Sequence, residues 1–179
     1  MNKLADKYAD EIQKILAKYP PEEKRSAVMT LLYMAQREGG YVSKQDIHDI
    51  AEIVEITPTE VATLIGFYTL YHDKPAGKIR IQVCNDLPCA LRGADKFLEE
   101  LCDALNIQPG ETTPDGLVTI EPVMCLAACD KAPMFQAQSR EGLEYHEHMT
   151  VESTMALIET WKERSEERRV EKECRSRWS

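Results

Sequence analysis

The sequence predicts an α+β protein in which a helical region precedes a small two-layer α/β domain. Three observations predict this class. Apolar residues recur at helical spacing through residues 1–75, Pro75-Ala76-Gly77 interrupts that pattern, and residues 78–83 then alternate strictly between polar and apolar. We therefore expect a helical bundle over 1–75, an α/β domain over 76–161 and a separate charged tail over 162–179.

Four helices are expected in the first region. One apolar stripe runs from Leu4 to Pro20-Pro21, and a second ends at Gly39-Gly40. Ser43 can cap a third helix, and Thr57-Pro58-Thr59-Glu60 is a capping box with proline at the first helical position of a fourth. We interpret the apolar stripes as the core of a bundle, because helices without polar chemistry are typical of a scaffold.

The second region should contain strands and helices in the order strand, helix, strand, strand, strand, helix. The expected elements are a strand over 78–84, a helix over 88–106, strands over 117–122, 134–138 and 143–148, and a helix from Thr150 to about Trp161. This order is compatible with a thioredoxin-like arrangement of helices on a mixed sheet.

The tail differs from the rest of the chain in charge. Residues 162–179 hold seven Lys and Arg against five Glu without apolar periodicity, whereas the whole chain has a net charge of -9. We expect a frayed or disordered extension, or one foreign to the native protein, and we give Cys174 no functional role.

Composition limits the possible functions. The acidic net charge and the lack of a basic stripe disfavour nucleic-acid binding. No apolar run approaches the roughly 18 residues that span a membrane, and the N-terminus lacks the apolar core of a signal peptide, so we expect a cytoplasmic protein without direct membrane insertion. No glycine-rich phosphate loop is present, so no recognisable NAD-binding motif is encoded.

Four of the six cysteines form two short pairs. Four residues separate Cys84 from Cys89, and three separate Cys125 from Cys129. A reducing compartment disfavours disulfides, which makes metal ligation the better interpretation. A [2Fe-2S] cluster has two irons that each take two protein thiolates, so these four cysteines match its ligand requirement and are the candidate metal and cofactor ligands.

Other sites with cysteine ligands fit the spacing less well. A structural zinc site with four cysteines, as in an adaptor between proteins, typically uses pairs at two-residue spacing, and neither pair has it. A Rieske centre needs two histidines, and none lies near the cysteines. A thiol oxidoreductase would need a Cys-x-x-Cys motif at the start of a helix, and Cys84 and Cys89 are spaced too widely for that motif. Cys102 falls on an apolar helix face, so we predict a buried core thiol.

The groups around the cysteines should influence the reduction potential of the cluster. Cys89 is expected to open a helix whose first N–H groups face the cluster. The acidic protein should keep the reduction potential low, and Lys131 and Arg92 could partly oppose this effect.

Several motifs resemble a known family. They are Gly77-Lys78-Ile79-Arg80-Ile81-Gln82-Val83-Cys84, Gly110-Glu111-Thr112-Thr113-Pro114-Asp115-Gly116, Cys125-Leu126-Ala127-Ala128-Cys129-Asp130-Lys131-Ala132-Pro133, Gly40-Tyr41-Val42 and Gly66-Phe67-Tyr68-Thr69. Together they resemble the thioredoxin-like [2Fe-2S] subunit of NADH:quinone oxidoreductase, respiratory complex I. The resemblance extends to about Trp161.

The resemblance implies a function as well as a fold. It implies a thioredoxin-like [2Fe-2S] ferredoxin domain after the helical bundle, with Cys84, Cys89, Cys125 and Cys129 holding one cluster. It also implies a partner flavoprotein that carries FMN and oxidises NADH, a larger iron-sulfur subunit, and a place in the peripheral arm on the cytoplasmic side of the inner membrane. The cluster would exchange one electron with the flavin, and no substrate-binding active site is expected in this chain. Related subunits also serve NAD-linked formate dehydrogenases and bidirectional hydrogenases.

Two residues depart from the pattern of this family. The family usually has glycine where Ala127 stands, and often a glycine or another small residue where Asp130 stands. A methyl group at a tight turn and a nearby carboxylate should change the hydrogen bonding of the sulfurs, and with it the reduction potential.

Overall fold

The computed structural model describes the backbone of residues 2–176 and, within that range, all side chains except those of residues 38 and 168–176. The chain divides into two compact units, Met1–Pro75 and Ala76–Ser179. Each unit has its own apolar core.

The first unit contains the four predicted helices. They are α1 (Lys3–Leu16), α2 (Val28–Gly39), α3 (Lys44–Val54) and α4 (Pro58–Phe67). The predicted Ser43 cap and the predicted Thr57 capping box are both present, and Ser43 turns out to form a capping box as well. In each, the cap side chain accepts the N–H three residues later, and the carboxylate of that residue accepts the N–H of the cap residue. The side chains of Leu31, Leu32 and Ile50 are completely buried, as expected for a bundle core.

A short 3-10 helix, Pro21–Ala27, separates α1 from α2. The sequence pattern did not predict it. Pro20 and Pro21 lack the N–H groups that would continue α1, so the chain makes a tighter turn before the next apolar stripe begins.

The second unit is built on a four-stranded mixed sheet. The strands are β1 (Ile79–Cys84), β2 (Val118–Val123), β3 (Phe135–Ser139) and β4 (Gly142–His146), and their spatial order is β2-β1-β3-β4. The β1–β2 pair is parallel, whereas the β1–β3 and β3–β4 pairs are antiparallel. β1 is therefore an inner strand, hydrogen-bonded on both sides.

The predicted helix over 88–106 is divided into α5 (Leu87–Ala90) and α6 (Ala94–Leu105). Gly93 has a φ of 93°, a left-handed conformation that interrupts an α-helix and that glycine adopts at little cost. The prediction of one continuous helix was therefore wrong. The break lets the chain turn between the segment that carries Cys89 and the helix that covers the sheet.

The last helix, α7, spans Val151–Ser176 and so continues past the expected end near Trp161. Its later part is rich in Glu, Lys and Arg, which have high helix propensity and can pair across one turn. The side chain of Cys174 lies outside the described residues. None of the helices within residues 2–176 combines the length and the apolar character that crossing a membrane requires.

The two faces of the sheet differ in chemistry. Ile81, Val83 and Phe135 belong to one apolar core with residues of α6 and α7. Since side chains alternate along a strand, Gln82 and Cys84 lie on the opposite face. There the buried side chain of Gln136 donates a hydrogen bond to Gln82 at 2.8 Å. The face that ends at Cys84 is therefore polar and internally hydrogen-bonded.

Candidate metal centre

The structure brings the four predicted cysteines together. Cys84 ends β1, Cys89 lies in α5, Cys125 follows β2, and Cys129 begins a short 3-10 helix, Cys129–Lys131. The thiols of Cys84 and Cys129 raise the pKa of the Cys89 thiol, and the thiols of Cys84, Cys89 and Cys125 affect the pKa of the Cys129 thiol. The four thiols thus lie close enough to affect one another, although they come from two distant segments of the chain, residues 84–89 and 125–129.

The first pair, Cys84 and Cys89, is buried. Their exposed fractions are 1% and 0%, and they pack with Ala94, Ala132 and Met134 in a small apolar cluster. Backbone hydrogen bonds hold both residues in place. The Cys84 N–H donates to the Met134 carbonyl at 3.3 Å, and the Cys89 N–H donates to the Asp86 carbonyl at 2.8 Å. The core of the domain therefore fixes the positions of this pair.

One expectation about this pair was wrong. Cys89 was expected to open a long helix whose free N–H groups face the cluster, but α5 contains only four residues. The backbone N–H of Cys89 is occupied by Asp86, and the Asp86 carboxylate accepts the N–H of Leu87 at 2.9 Å. Asp86 therefore accepts hydrogen bonds from backbone N–H groups that were expected to point at the cluster sulfurs.

The second pair, Cys125 and Cys129, lies in irregular backbone and is more open. Cys125 is exposed and Cys129 is intermediate in exposure. Between them Ala127 has a φ of 59°, in the left-handed region, and its N–H donates to Cys125 Sγ at 3.3 Å. This conformation costs an alanine about 1 kcal/mol, whereas a glycine would adopt it freely. The methyl group expected at a tight turn is therefore present at a strained position.

The thiols affect one another's ionisation. Burial raises the pKa of Cys89 to about 12, and the thiols of Cys84 and Cys129 add to this effect. Burial also raises the pKa of Cys129, with a further contribution from Cys125, while a hydrogen bond with Cys89 opposes it. Because metals bind thiolates, metal loading must release these protons.

A lysine and two carboxylates lie beside the second pair. The Lys131 Nζ is 3.8 Å from an Asp130 oxygen and 3.9 Å from a Glu147 oxygen. The lysine charge is therefore shared with two acidic groups, which weakens its ability to offset added negative charge on the sulfurs. The effect of Lys131 and Arg92 on the reduction potential stays a prediction.

Two further side chains, those of Cys102 and His146, pack against the apolar core of the second unit. Cys102 is 4% exposed among the apolar residues of α6, so the predicted core thiol is confirmed. His146 lies against the rings of Phe135 and Trp161, with ring centroids 4.9 and 5.7 Å away. Burial lowers the pKa of His146, although Glu144 partly opposes this effect.

The sequence interpretation missed Tyr145. Its hydroxyl donates a hydrogen bond to the Leu126 carbonyl at 3.3 Å, although the two residues are 19 positions apart in the sequence. No local pattern marks this tyrosine, because only the strand register shows which face of the sheet it shares with Cys84. The contact links the outer strand β4 to the loop that carries the second pair.

The donor set fits a two-iron cluster. Among the described side chains, no three from Cys, His, Asp or Glu are grouped closely enough to hold a single ion. The mutual effects on pKa connect Cys89 with Cys84 and Cys129, and Cys129 with Cys84 and Cys125. A [2Fe-2S] cluster takes two thiolates on each of two irons, and four sulfurs without nitrogen or oxygen donors match that requirement.

Comparisons with known proteins agree with this donor set. A family model described as thioredoxin-like [2Fe-2S] ferredoxin matches residues 12–162. NADH-quinone oxidoreductase subunit 2 of Thermus thermophilus is 39% identical over 88% of this chain and 87% of its own length. A second NADH-quinone oxidoreductase subunit, from Rhizobium meliloti, is 37% identical over 86% of this chain and 88% of its own length.

A solved structure shares the fold. The crystal structure of an NAD+-reducing [NiFe]-hydrogenase in the air-oxidized state matches with a TM-score of 0.59 and 21% identity, covering 75% of this chain and 23% of that chain. The similarity at this identity concerns the fold alone. From the family match and the closely related sequences, the chain belongs to the thioredoxin-like [2Fe-2S] ferredoxin family that includes these NADH-quinone oxidoreductase subunits.

Proposed function

We propose that this protein is the [2Fe-2S] electron-transfer subunit of an NADH-oxidising complex, specifically NADH:quinone oxidoreductase. The observation that carries the proposal is the convergence of four thiols from two distant segments of the chain, residues 84–89 and 125–129. Three relatives that are 37–39% identical over most of the chain are named as NADH-quinone oxidoreductase subunits, which supports the choice of complex.

In this proposal Cys84, Cys89, Cys125 and Cys129 hold one cluster, with two thiolates on each iron. When bound, the cluster accepts and releases a single electron. The buried pair excludes water from one side of the centre, and the Ala127 N–H offers a hydrogen bond to the sulfur of the exposed Cys125. The sequence encodes no recognisable NAD-binding motif, so we assign the hydride chemistry to a partner.

That partner is the flavoprotein subunit, which binds NADH and FMN and exchanges one electron with the cluster. A larger iron-sulfur subunit completes the surroundings, and the assembly lies in the cytoplasm, peripheral to the inner membrane. We assign the helical unit to binding of the flavoprotein. It carries exposed aromatic side chains, among them Tyr33 and Phe67, and the rings of Phe67 and Tyr68 make an edge contact at 5.1 Å.

Metal analysis and EPR on the anaerobically purified full chain test the cluster. Two irons and two sulfides per chain, with a spin-half signal that appears only after dithionite reduction, are expected. One zinc per chain without iron would replace the proposal with a structural zinc adaptor held by the same four cysteines. Disulfide reductase activity that disappears in Cys84→Ser would indicate a thiol oxidoreductase instead.

A second assembly is the alternative. The resemblance extends to NAD-linked formate dehydrogenases and bidirectional hydrogenases, and the shared fold with the hydrogenase is compatible with this alternative. The native complex, purified from its source through a tag on this chain, distinguishes them. NADH-dependent quinone reduction is expected, whereas NAD+ reduction driven by hydrogen or formate would support the alternative.

A further inference from the structure

We propose that Tyr145 is a positioning residue that orients one peptide group of the cysteine loop toward the cluster. We define the cysteine loop as residues 125–129. The inference rests on the proposed function, because it concerns the sulfur of a cluster ligand. It assigns to Tyr145 the task of keeping the Ala127 N–H directed at Cys125 Sγ.

The peptide group between Leu126 and Ala127 is held at both of its polar ends. Its carbonyl accepts the Tyr145 hydroxyl at 3.3 Å, and its N–H donates to Cys125 Sγ at 3.3 Å. In a planar trans peptide the C=O and N–H bonds point in opposite directions. A contact that fixes the direction of the carbonyl therefore also fixes the direction of the N–H. Donation by the tyrosine polarises the amide as well, which strengthens its hydrogen bond to sulfur.

The sheet places Tyr145 where it can make this contact. Tyr145 pairs with Gln136 across β3–β4, and Gln136 pairs with Gln82 across β1–β3. Paired residues share a face, so Tyr145 lies on the face of Gln82 and of Cys84, two residues further along β1. The buried side-chain hydrogen bond between Gln136 and Gln82 connects the strands on this face. The tyrosine ring thus extends from a hydrogen-bonded sheet toward the loop.

The observed peptide orientation needs such support. Ala127 holds a positive φ of 59°, which its Cβ disfavours. Rotating the 126–127 peptide by half a turn would bring φ to an extended, relaxed value. It would also point the N–H away from Cys125 Sγ and bring the carbonyl oxygen toward the sulfur. The Tyr145 hydrogen bond opposes that rotation, because the rotated carbonyl would no longer face the hydroxyl.

This orientation matters for electron uptake. An N–H directed at a thiolate sulfur stabilises the extra negative charge of the reduced cluster, whereas a carbonyl oxygen repels it. Loss of the Tyr145 hydroxyl should therefore make the reduction potential more negative while leaving all four thiolates in place.

Four full-length variants loaded with cluster test the inference: Tyr145→Phe, Ala127→Gly, the double variant, and Tyr19→Phe as a matched control packed against the core of the helical unit. Tyr145→Phe should keep two irons and wild-type thermal stability, but show a more negative midpoint potential, altered EPR g-values and about threefold faster iron loss to a chelator. Ala127→Gly should change the potential less than Tyr145→Phe does, because the Tyr145 hydrogen bond holds the 126–127 peptide with either residue at position 127. Tyr19→Phe should match wild type in potential.

The double variant tests whether glycine at position 127 rescues the potential of Tyr145→Phe. Glycine removes the cost of a positive φ, so Ala127→Gly should restore part of the potential that Tyr145→Phe loses. An unchanged potential in Tyr145→Phe, or a loss of thermal stability without a change in potential, would overturn the inference while the proposed function stands. A wild-type chain without iron would overturn both.

Discussion

The two cysteine pairs are built in different ways. Cys84 and Cys89 lie in regular structure, are almost completely buried, and take their positions from a strand, a helix and the contacts of the core. Cys125 and Cys129 lie in a loop, are more open to solvent, and depend on a few local hydrogen bonds and one left-handed alanine. If the four cysteines hold a cluster as proposed, we expect the buried pair to determine whether the cluster is retained and the loop to modify its reduction potential.

Replacing a cysteine ligand should produce the largest effect on iron content, and the size of the loss should differ between the two pairs. Cys84→Ser or Cys89→Ser leaves the buried side with one thiolate in a closed pocket, so iron content should fall by more than about tenfold. Cys125→Ser or Cys129→Ser should leave a damaged cluster with partial iron, because the open loop lets the serine oxygen or water approach. Iron and sulfide analysis measures this difference.

Cys102→Ser is the control for the ligand series. This thiol is also buried but belongs to the apolar core beside α6, so the variant should keep two irons and the wild-type EPR spectrum. An intact spectrum in any of the four ligand variants would disprove the ligand assignment.

Alkylation of the metal-free chain should distinguish the pairs by reactivity. Cys125 is exposed, whereas Cys89 is buried and its pKa is raised to about 12, so Cys89 should react with iodoacetamide at least about 100-fold more slowly at pH 8. Between pH 7 and pH 9 the rate at Cys89 should rise about tenfold per pH unit, because its thiolate fraction does. Peptide mass spectrometry resolves each site. Equal rates would mean that the buried pocket opens without metal.

The dependence of the buried pair on the sheet can be tested at Gly77, which precedes β1. A Cβ added there would lie 2.8 Å from the Leu117 carbonyl oxygen and 2.8 Å from the Val118 carbonyl carbon, both backbone atoms. We expect Gly77→Ala to destabilise the metal-free chain by about 2 kcal/mol in urea unfolding followed by circular dichroism.

Gly66→Ala is the matched control for that substitution. Gly66 lies inside α4 with no atom within 4 Å of an added Cβ, so alanine should stabilise the chain by about 0.5–1 kcal/mol. If both substitutions changed the free energy of unfolding equally, the close packing of Gly77 against Leu117 and Val118 would not contribute to the stability of the sheet. The sheet contact at Gly77 would then not be what supports Cys84.

The smallest expected effect concerns the hairpin beside the exposed pair. Burial lowers the pKa of His146 below its ordinary value of 6.5, so the unfolded chain binds a proton more readily than the folded chain. Stability of the metal-free protein should therefore fall as the pH decreases from 7 through 6.5 toward the lowered pKa. Thermal unfolding at pH 7 and pH 5 should show a smaller loss in His146→Gln. An identical loss in both proteins would exclude His146 as the cause.

Sequence reasoning succeeded where regular patterns dominate. Helical periodicity, the cap at Ser43 and the capping box at Thr57 predicted the bundle, and the strict alternation before Cys84 predicted β1. The spacing of the four cysteines singled out thiols that affect one another's pKa in the structure, while their role as cluster ligands stays a prediction. These signals are local, so they can be read without knowledge of the tertiary fold.

The errors and omissions have physical causes. The helix over 88–106 has continuous apolar periodicity, but Gly93 breaks it through its backbone conformation. The N–H groups expected at the Cys89 sulfur are used by Asp86, which forms a local cap. The contact of Tyr145 depends on the pairing of three strands, and a single sequence does not show which strands become neighbours.

The inner position of β1 also affects how a cluster could enter and leave. Opening β1 would break hydrogen bonds to β2 and β3 together, so Cys84 lies in a part of the sheet that opens rarely. The cysteine loop can move at the cost of a few bonds. We therefore expect a donor protein to deliver the cluster through Cys125 and Cys129, and a damaged cluster to be exchanged while the domain stays folded.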